Sequence, residues 1–355
     1  MKRRKILSLF GLTVASGFVA IACSSNTVTP QAENTATSGS EATVASTPAE
    51  GGLVIYSGRS EKLVGELIEK FETQTGVEVE IRYGDTAELA AAILEEQQNS
   101  PADLFFAQDA GALGALQKAE RTTAIPQELL SKVDERYRSP EGEWVGVTGR
   151  VRTVDYNTDL VQPEELPASI MDLTDPKWEG KIGWAPTNGS FQSFVTALRL
   201  SEGEEAARQW LEGIKANNPQ VYPKNTPIVE ALSRGEIAVG FVNHYYLERL
   251  KAENPDVPVA HHYTNDVGSL VNVAGVAILD SAKNPEAAQK FIGFLLEEDA
   301  QKYFATETYE YPLVSGIEAA KDLKPLAEID YKTIDLSNLD DLDATLKLLQ
   351  DSGVL

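Results

Sequence analysis

Residues 53–118 read LVIYSGRSEKLVGELIEKFETQTGVEVEIRYGDTAELAAAILEEQQNSPADLFFAQDAGALGALQK and repeat one pattern three times. Each repeat begins with a short β-type run and continues into a helical pattern. The β-type runs are 53–57, 77–81 and 103–107, and the helical patterns are 61–75, 86–98 and 109–118. Strands that alternate with helices in this way are typical of a mostly parallel sheet covered by helices. We therefore predict an α/β fold.

The alternation stops after residue 118. Residues 120–143 contain prolines and mixed charges, and Trp144–Asp155 is β-like along its whole length. A long extended stretch is what a connection between two lobes would need. Beyond it we predict strands at 182–185, 237–242 and within 257–279, and helices at 191–200, 204–215, 245–252, 285–296 and 340–349. The acidic stretch Asp335–Asp343 is most simply a solvent-exposed face.

The N-terminus has the layout of an export signal. Residues 2–5 are basic, Ile6–Ala22 is apolar, and the run ends directly at Cys23. This ending resembles a bacterial lipoprotein signal, which implies cleavage before Cys23 and a lipid on its sulfur. A plain secretory signal with an incidental cysteine is the alternative. Residues 24–50 are mostly small and polar, so we predict a flexible tether there.

The composition excludes several classes of protein. The 355 residues include 31 basic and 54 acidic ones, for a formal net charge of −23, which argues against nucleic acid as a partner. With 42% hydrophobic residues the chain can bury sizeable cores. One cysteine cannot build a disulfide framework, and three histidines leave little for a zinc site. The motifs G-x-S-x-G, P-loop, G-x-G-x-x-G and H-E-x-x-H are all missing from the sequence.

Four segments stand in a recognisable order along the chain. They are VIYSGR at 54–59, YGDTAEL at 83–89 with SPADLFFAQ at 100–108, GKIGWAPTNGS at 180–190, and YPKN at 222–225 with NHYY at 243–246. Together they resemble the bacterial ferric-ion-binding proteins, the solute receptors of iron ABC importers. The resemblance covers about residues 53–320. It implies a type II periplasmic-binding-protein architecture: two α/β lobes, each a mixed, mostly parallel sheet flanked by helices, joined by a β-strand hinge with the ligand cleft between them.

The same resemblance implies an organisation and a set of partners. We expect a signal at 1–23, a tether at 24–50, lobe 1 at 51–150 with a return segment at 271–320, lobe 2 at 151–270, and a C-terminal helical tail at 321–355 packing on lobe 2. The partners would be an ABC permease and its ATPase, and the lipid would hold a monomer at the outer face of the cell membrane. Such a receptor makes and breaks no bond in its substrate, so we expect no enzyme.

The adjacent Tyr245 and Tyr246 are the most informative residues. Ferric iron is a hard cation that favours anionic oxygen donors, and a bound metal ion can remove the proton from a phenol. In the resembled family this pair supplies metal ligands. The alternative is that both rings simply pack between helix and sheet.

A second group of residues has the chemistry of an anion site. Thr187–Ser190 precedes a predicted helix, where free N–H groups can receive an anion. The resemblance implies that this turn and two asparagines hold a synergistic anion, carbonate or phosphate, beside Fe³⁺. The residues are Asn188, Gly189, Ser190, Asn225 and Asn243, with Arg59 at the end of the first strand and, as further candidates, Ser60, Gln108, Arg150 and Arg152. Helix capping is the alternative for the turn, and exposed ion pairs are the alternative for the arginines.

The chain departs from the resembled family at its other ligands. The places of a histidine or His-Tyr pair, a glutamate and a third tyrosine are taken here by Ser60 with Glu61, by Gln108 and by Phe191. Glu61, Asp109 and Tyr156 are therefore additional candidate metal ligands, and His244 is a weaker one. Two phenolates cannot fill an octahedral site, so exogenous anions and water, or one of these carboxylates, must complete it, unless the ligand is not ferric iron.

Three hypotheses follow. The first is a lipid-anchored receptor that binds ferric iron with a synergistic anion and delivers it to an ABC importer. The second keeps the receptor and changes the ligand to an anion such as a phosphonate, sulfonate or sugar phosphate. The third is a secreted hydrolase with His261 or His262 as its base, although that pair is more simply interpreted as a surface pair.

Overall fold

The structure, a computed structural model, describes residues 51–321, 323–330 and 333–355. The predicted signal 1–23, the lipidation site Cys23 and the tether 24–50 lie outside these residues. Within the described ranges, no helix combines the length and the apolar character that crossing a bilayer requires.

The predicted strands and helices are present, with shifts of a few residues at their ends, whereas the helices at Gln127–Leu130, Asn225–Ser233 and Glu298–Tyr303 were not predicted. The strands are β1 (Leu53–Ser57), β2 (Val79–Tyr83), β3 (Leu104–Ala107), β4 (Thr122–Thr123), β5 (Val145–Asn157), β6 (Ile182–Trp184), β7 (Gln220–Val221), β8 (Val239–Asn243), β9 (Val259–Ala260), β10 (Val271–Leu279) and β11 (Tyr311–Pro312). The α-helices are α1 (Glu61–Thr75), α2 (Thr86–Glu96), α3 (Ala110–Lys118), α4 (Gln127–Leu130), α5 (Gly189–Glu202), α6 (Glu204–Ala216), α7 (Asn225–Ser233), α8 (Tyr245–Glu253), α9 (Pro285–Leu295), α10 (Glu298–Tyr303) and α11 (Leu342–Asp351). Short 3₁₀ turns lie at Gln97–Asn99, Glu135–Tyr137, Pro163–Glu165, Ile170–Thr174, Pro176–Trp178, Val267–Ser269, Leu326–Glu328 and Leu336–Asp340, and a π-turn lies at Phe304–Thr308.

Local chemistry explains where these helices begin and end. Gly76 ends α1 in the left-handed conformation, at φ 70°, and its N–H donates to the carbonyl of Glu72. The Asp85 carboxylate accepts from the N–H of Ala87 at 2.9 Å and so caps α2. Both roles follow from the residue types, so these boundaries could be predicted from the sequence.

The sheet is mixed, and strand β5 links its two halves. The paired strands follow the order β2-β1-β3-β10-β5-β8-β6-β7, with β4 beside β10, and β9 and β11 beside β5. β1 is parallel to β2 and β3, and β6 is parallel to β7 and β8, whereas β10 and β5 run antiparallel to their neighbours. Residues 145–151 of β5 pair with β10, and residues 152–156 pair with β8. The predicted extended connection is thus one continuous strand shared by both halves. The lobe boundaries themselves stay a prediction.

The acidic stretch Asp335–Asp343 near the C-terminus is not simply the solvent-exposed face that the sequence indicates. Asp335, Asp341 and Asp343 are exposed, as expected, but Leu336 and Leu339 are buried and the turn at Leu336–Asp340 packs on α3. A Cβ at Gly114 of α3 would lie 2.0 Å from the carbonyl oxygen of Ser337. The stretch is therefore not simply a solvated face, because small residues on α3 let its backbone approach closely. The following helix, α11, packs on α5.

Candidate functional site

A cavity of about 760 Å³ opens between the two halves of the sheet. It is bounded by the end of β1, by α2 and α3 from the first half, and by α5 and α8 from the second. Ten of the sequence-predicted residues line it: Arg59, Gln108, Asp109, Arg150, Asn188, Gly189, Ser190, Asn243, Tyr245 and Tyr246. A separate cavity of about 330 Å³, beside Trp178, contains none of the predicted residues.

Tyr245 and Tyr246 open helix α8 and face this cavity. Their ring centroids are 4.6 Å apart, and Tyr245 is 6% exposed while Tyr246 is half-buried. The Nδ2 of Asn243 donates to the Tyr245 hydroxyl at 3.2 Å, and the Arg249 guanidinium lies 4.9 Å over the Tyr245 ring. Burial, together with the neighbouring Tyr246, raises the pKa of Tyr245 above its ordinary value near 10. Without a bound cation this phenol therefore keeps its proton.

His244 precedes the pair but has no free nitrogen. Its Nδ1 accepts from the N–H of Val151 at 3.1 Å, which requires the proton to sit on Nε2, and Nε2 donates to the carbonyl of Tyr309 at 2.7 Å. Burial lowers the pKa of His244 to about 4, so the ring is neutral. The residue holds α8 against β5 and is not available as a ligand.

The Asn188–Ser190 turn caps α5, as the alternative interpretation allowed. The Oδ1 of Asn188 accepts from the N–H of Ser190 at 3.1 Å and from its hydroxyl at 2.6 Å. The Nδ2 of Asn225 reaches both Asn188 Oδ1 and Ser190 Oγ at 3.3 Å, although Asn225 does not itself line the cavity. Among the described residues, the buried Oδ1 of Asn225 has no hydrogen-bond partner. Capping and anion binding can coexist here, because the cap leaves other N–H groups of the first turn free.

Arg152 lies behind this turn as a buried cation. It is 3% exposed, and its guanidinium donates to the Ser190 hydroxyl at 3.3 Å and to the Phe241 carbonyl at 3.2 Å. It also lies over the rings of Phe191 and Phe194, at 5.4 Å from each. No carboxylate in the described part of the chain pairs with it, and burial lowers the pKa of Arg152 to about 9. A cation that is buried with neutral partners favours the approach of an anion.

Arg59 and Arg150 also lie in buried contacts, which excludes the alternative of exposed ion pairs for them. Arg59 forms a two-pronged pair with Glu310, Nη1 to Oε1 at 3.0 Å and Nη2 to Oε2 at 2.5 Å, and donates to the Gln108 side chain at 2.6 Å. Burial alone would raise the pKa of Glu310, but the charge and hydrogen bonds of Arg59 hold it below its usual range. Sequence reasoning missed Glu310, since it lies far along the chain in no motif.

Asp109 is engaged on both carboxylate oxygens. Its Oδ2 accepts from Arg150 Nη2 at 2.6 Å, from Asn272 Nδ2 at 2.7 Å and from the Ser193 hydroxyl at 3.0 Å. Its Oδ1 caps α3 through the N–H of Gly111. With these donors in place the carboxylate is poorly suited to bind a metal ion, and it instead joins α3, β5, β10 and α5.

The structure does not bring the remaining candidates to the cavity. Ser60 and Glu61 are exposed at the start of α1, and Tyr156 is buried in β5 opposite Val239. Phe191, in the place expected for a third tyrosine, is fully buried and packs edge-on against Trp184. Over the described ranges, no group of three or more His, Cys, Asp or Glu side chains could hold a metal ion.

The histidine pair is not a surface pair. The His261 side chain is only 6% exposed and lies between two carboxylates: Nδ1 is 2.7 Å from Asp155 Oδ1, and Nε2 is 3.0 Å from Glu248 Oε1. The Nε2 of His262 donates to the carbonyl of Pro167. Because both nitrogens of His261 are engaged, the ring is not placed to act as a general base.

Known proteins resemble this chain in sequence and in fold. Residues 99–340 match the family described as bacterial extracellular solute-binding protein. The chain is 30% identical to the major ferric iron-binding protein of Neisseria meningitidis serogroup B, covering 88% of this chain and 96% of that protein. It superimposes on iron-bound HitA from Pseudomonas aeruginosa with a TM-score of 0.79 and 35% identity, covering 85% of this chain and 99% of that one. The Trichodesmium protein IdiA (FutA), in complex with iron and citrate ligands, gives a TM-score of 0.76 at 33% identity, covering 85% and 99%. Both the family match and these relatives place the chain among type II periplasmic binding proteins, which bind solutes and are not enzymes. The chain therefore belongs to the bacterial extracellular solute-binding protein family.

Proposed function

We propose that this protein captures ferric iron in the cavity between its two halves and delivers it to an ABC importer. The observation that carries the proposal is the placement of Tyr245 and Tyr246, with ring centroids 4.6 Å apart, on the wall of that cavity. Phenolates are hard anionic donors suited to Fe³⁺. The names of the Neisseria and Pseudomonas relatives, which bind iron, support the same ligand.

The raised pKa of Tyr245 would favour a highly charged cation over a monovalent one. Burial raises the pKa of Tyr245, so ionising it without a cation is costly. A trivalent ion offsets that cost by direct coordination to the phenolate oxygen, whereas a monovalent ion offsets far less. Iron binding should therefore release protons, and acid should weaken it.

A synergistic anion would complete the coordination of the metal. The carboxylates of Asp109 and Glu310 are already held by arginines, so the two phenolates leave most of an octahedral site open. The Asn188–Ser190 turn, Asn225 and Arg152 offer N–H donors and a buried positive charge beside the tyrosines. Carbonate and phosphate fit this chemistry, and the citrate bound by the Trichodesmium relative widens it to carboxylates. Asn243 would contact a metal ligand and not the anion, since its amide donates to the Tyr245 hydroxyl.

The cellular context completes the proposal. The lipoprotein-like signal ending at Cys23 would anchor the protein to the outer face of the cell membrane, with residues 24–50 as the tether. A monomer held there would pass its iron to the permease and its ATPase. Closure of the two halves would bury the ion, and opening on the permease would release it.

A second class of ligand is supported by Arg152, whose guanidinium donates to neutral groups, the Ser190 hydroxyl and the Phe241 carbonyl. Arg152 would serve equally well in a receptor for a phosphonate, a sulfonate or a sugar phosphate. Metal analysis and the visible spectrum of the purified protein, with and without bicarbonate, separate the two cases. We expect stoichiometric iron and a coloured phenolate–iron complex, which the Tyr245→Phe/Tyr246→Phe double variant loses and the Tyr303→Phe control keeps. Tight binding of an anion without iron, or colour that survives in the double variant, would refute the iron assignment.

A further inference from the structure

A buried group of three charged side chains, one of them two residues after Tyr246 in α8, has no part in the proposed binding of the metal ion. His261 lies between Asp155 and Glu248, at 2.7 Å and 3.0 Å, and the side chains of the three residues are 6%, 0% and 7% exposed. Burial alone would lower the pKa of His261, but the two carboxylates raise it to about 9, so the ring is an imidazolium at neutral pH. We call this group the Asp155–His261–Glu248 triad.

The triad joins the helix of the tyrosines to the shared strand. Glu248 lies in α8, two residues after Tyr246, whereas Asp155 lies in β5 and pairs across the sheet with Gly240 of β8. His261 follows the short strand β9 and reaches both. The imidazolium is thus a bridge from the first turns of α8 to the strand that runs through both halves of the sheet.

The start of α8 is also held by His244, whose Nδ1 accepts from the N–H of Val151 in β5, but this contact involves no charge. Its N-cap residue, His244, makes no side-chain capping bond to the helix. Glu248 has one further cationic contact, from Lys251 at 3.5 Å, and the second oxygen of Asp155 has no partner in the described part of the chain. Removing the imidazolium would leave two buried carboxylates with poor compensation, and α8 would have to shift to hydrate them.

We propose that His261 is a positioning residue for the metal site: its bridge between Asp155 and Glu248 sets the orientation in which Tyr245 and Tyr246 meet the ion. Partners behind the ligands of a metal site commonly orient those ligands in this way. The proposal rests on the proposed function, because it takes the two tyrosines as ligands. The two adjacent histidines thus differ in role: His261 positions the metal site, and His262 has no part in it.

The test compares His261→Gln with His262→Gln, a matched change in the neighbouring histidine, whose side chain donates to the Pro167 carbonyl and to neither carboxylate of the triad. With ferric iron and bicarbonate, we expect His261→Gln to lose at least tenfold in iron affinity and to shift the phenolate–iron absorption band, while His262→Gln stays within twofold of the wild type. Unchanged affinity and an unchanged band in a folded His261→Gln variant would overturn the proposal. If that variant does not fold, Asp155→Asn/His261→Gln/Glu248→Gln, which also removes the stranded charges, is measured with the same two expectations.

Amide hydrogen exchange of α8 in the iron-free protein separates this proposal from the proposed function. We expect Tyr245–Glu253 to exchange at least tenfold faster in His261→Gln than in His262→Gln. If the wild type binds iron without a phenolate–iron absorption band, the proposed function is wrong. The difference in exchange rate between the two variants then still decides whether the triad holds α8 in place. Equal exchange in the two variants overturns the positioning role whatever the ligand.

Discussion

Arg59 and Glu310 lie 251 residues apart in the chain and form a two-pronged ion pair whose side chains are 0% and 3% exposed. Arg59 follows the first strand, and Glu310 comes from the segment that returns to the same half of the sheet after β10. A pair removed from water in this way holds together only when both charges are present. The pair lines the cavity next to Gln108.

Removing one partner of this pair should be strongly destabilising. Glu310→Gln leaves the Arg59 charge buried and poorly compensated, so we expect the free energy of unfolding to fall by about 3–5 kcal/mol. Urea unfolding measures this. The control is Glu236→Gln, in an exposed pair with Arg234, for which little change is expected. Similar stabilities of the two variants would contradict the prediction.

A substitution at Arg152 should affect ligand binding and the stability of the protein differently. Its guanidinium has neutral partners and aromatic rings around it, so Arg152→Met should leave the stability of the iron-free protein unchanged or raise it. The same change should weaken anion-dependent iron binding at least tenfold, measured by calorimetry with ferric iron and bicarbonate. Arg234→Met, at an exposed position, should alter neither property. A stable Arg152→Met variant with full affinity would exclude a role for this cation.

Because the Asp155–His261–Glu248 triad raises the pKa of His261, the stability of the protein should fall as the pH rises. The pKa of His261 is about 9 in the folded protein, against an ordinary value of 6.5. Its contribution is therefore complete below pH 6.5 and is lost as the pH rises through 9, by about 3 kcal/mol in all. Unfolding by urea at pH 6 and pH 9.5 should show this loss in the wild type and in His262→Gln, but not in His261→Gln. An imidazole of His261 that titrates near 6.5 by NMR would contradict it.

Because the C-terminal segment packs closely on α3, adding one methyl group at Gly114 should destabilise the protein. A Cβ at Gly114 would lie 2.0 Å from the Ser337 carbonyl oxygen, so Gly114→Ala should displace the turn at Leu336–Asp340 and cost about 1–3 kcal/mol. Gly65 lies in α1 and has only the flexible Glu61 side chain nearby, at 3.3 Å. Gly65→Ala should instead stabilise the protein by about 0.5–1 kcal/mol. Thermal unfolding of both variants checks the opposite signs.

The sequence singles out candidate residues segment by segment, but it does not show which of them are already paired with other side chains. Tyr245 and Tyr246 and the Asn188–Ser190 turn lie in segments that resemble the ferric-ion-binding proteins, and this resemblance singles them out. Glu310 reaches the cavity, and Asn272 reaches the Asp109 carboxylate, from distant elements, and neither belongs to a motif. Asp109 was singled out as a candidate ligand, but its true partners, Arg150, Asn272 and Ser193, come from three other elements. No local pattern shows that its oxygens are already taken.

The sequence by itself determined the alternation of strands and helices, their ends at residues such as Gly76 and Asp85, and the chemistry of the tyrosine pair, because each depends on neighbours within a few residues. The tertiary structure alone decided which charges are buried and paired. Arg59, Arg150 and His261 could have been surface groups by composition, yet each is enclosed by residues from other elements. Burial and ion pairing depend on contacts across the fold, where desolvation must be offset by a partner that the local sequence does not contain.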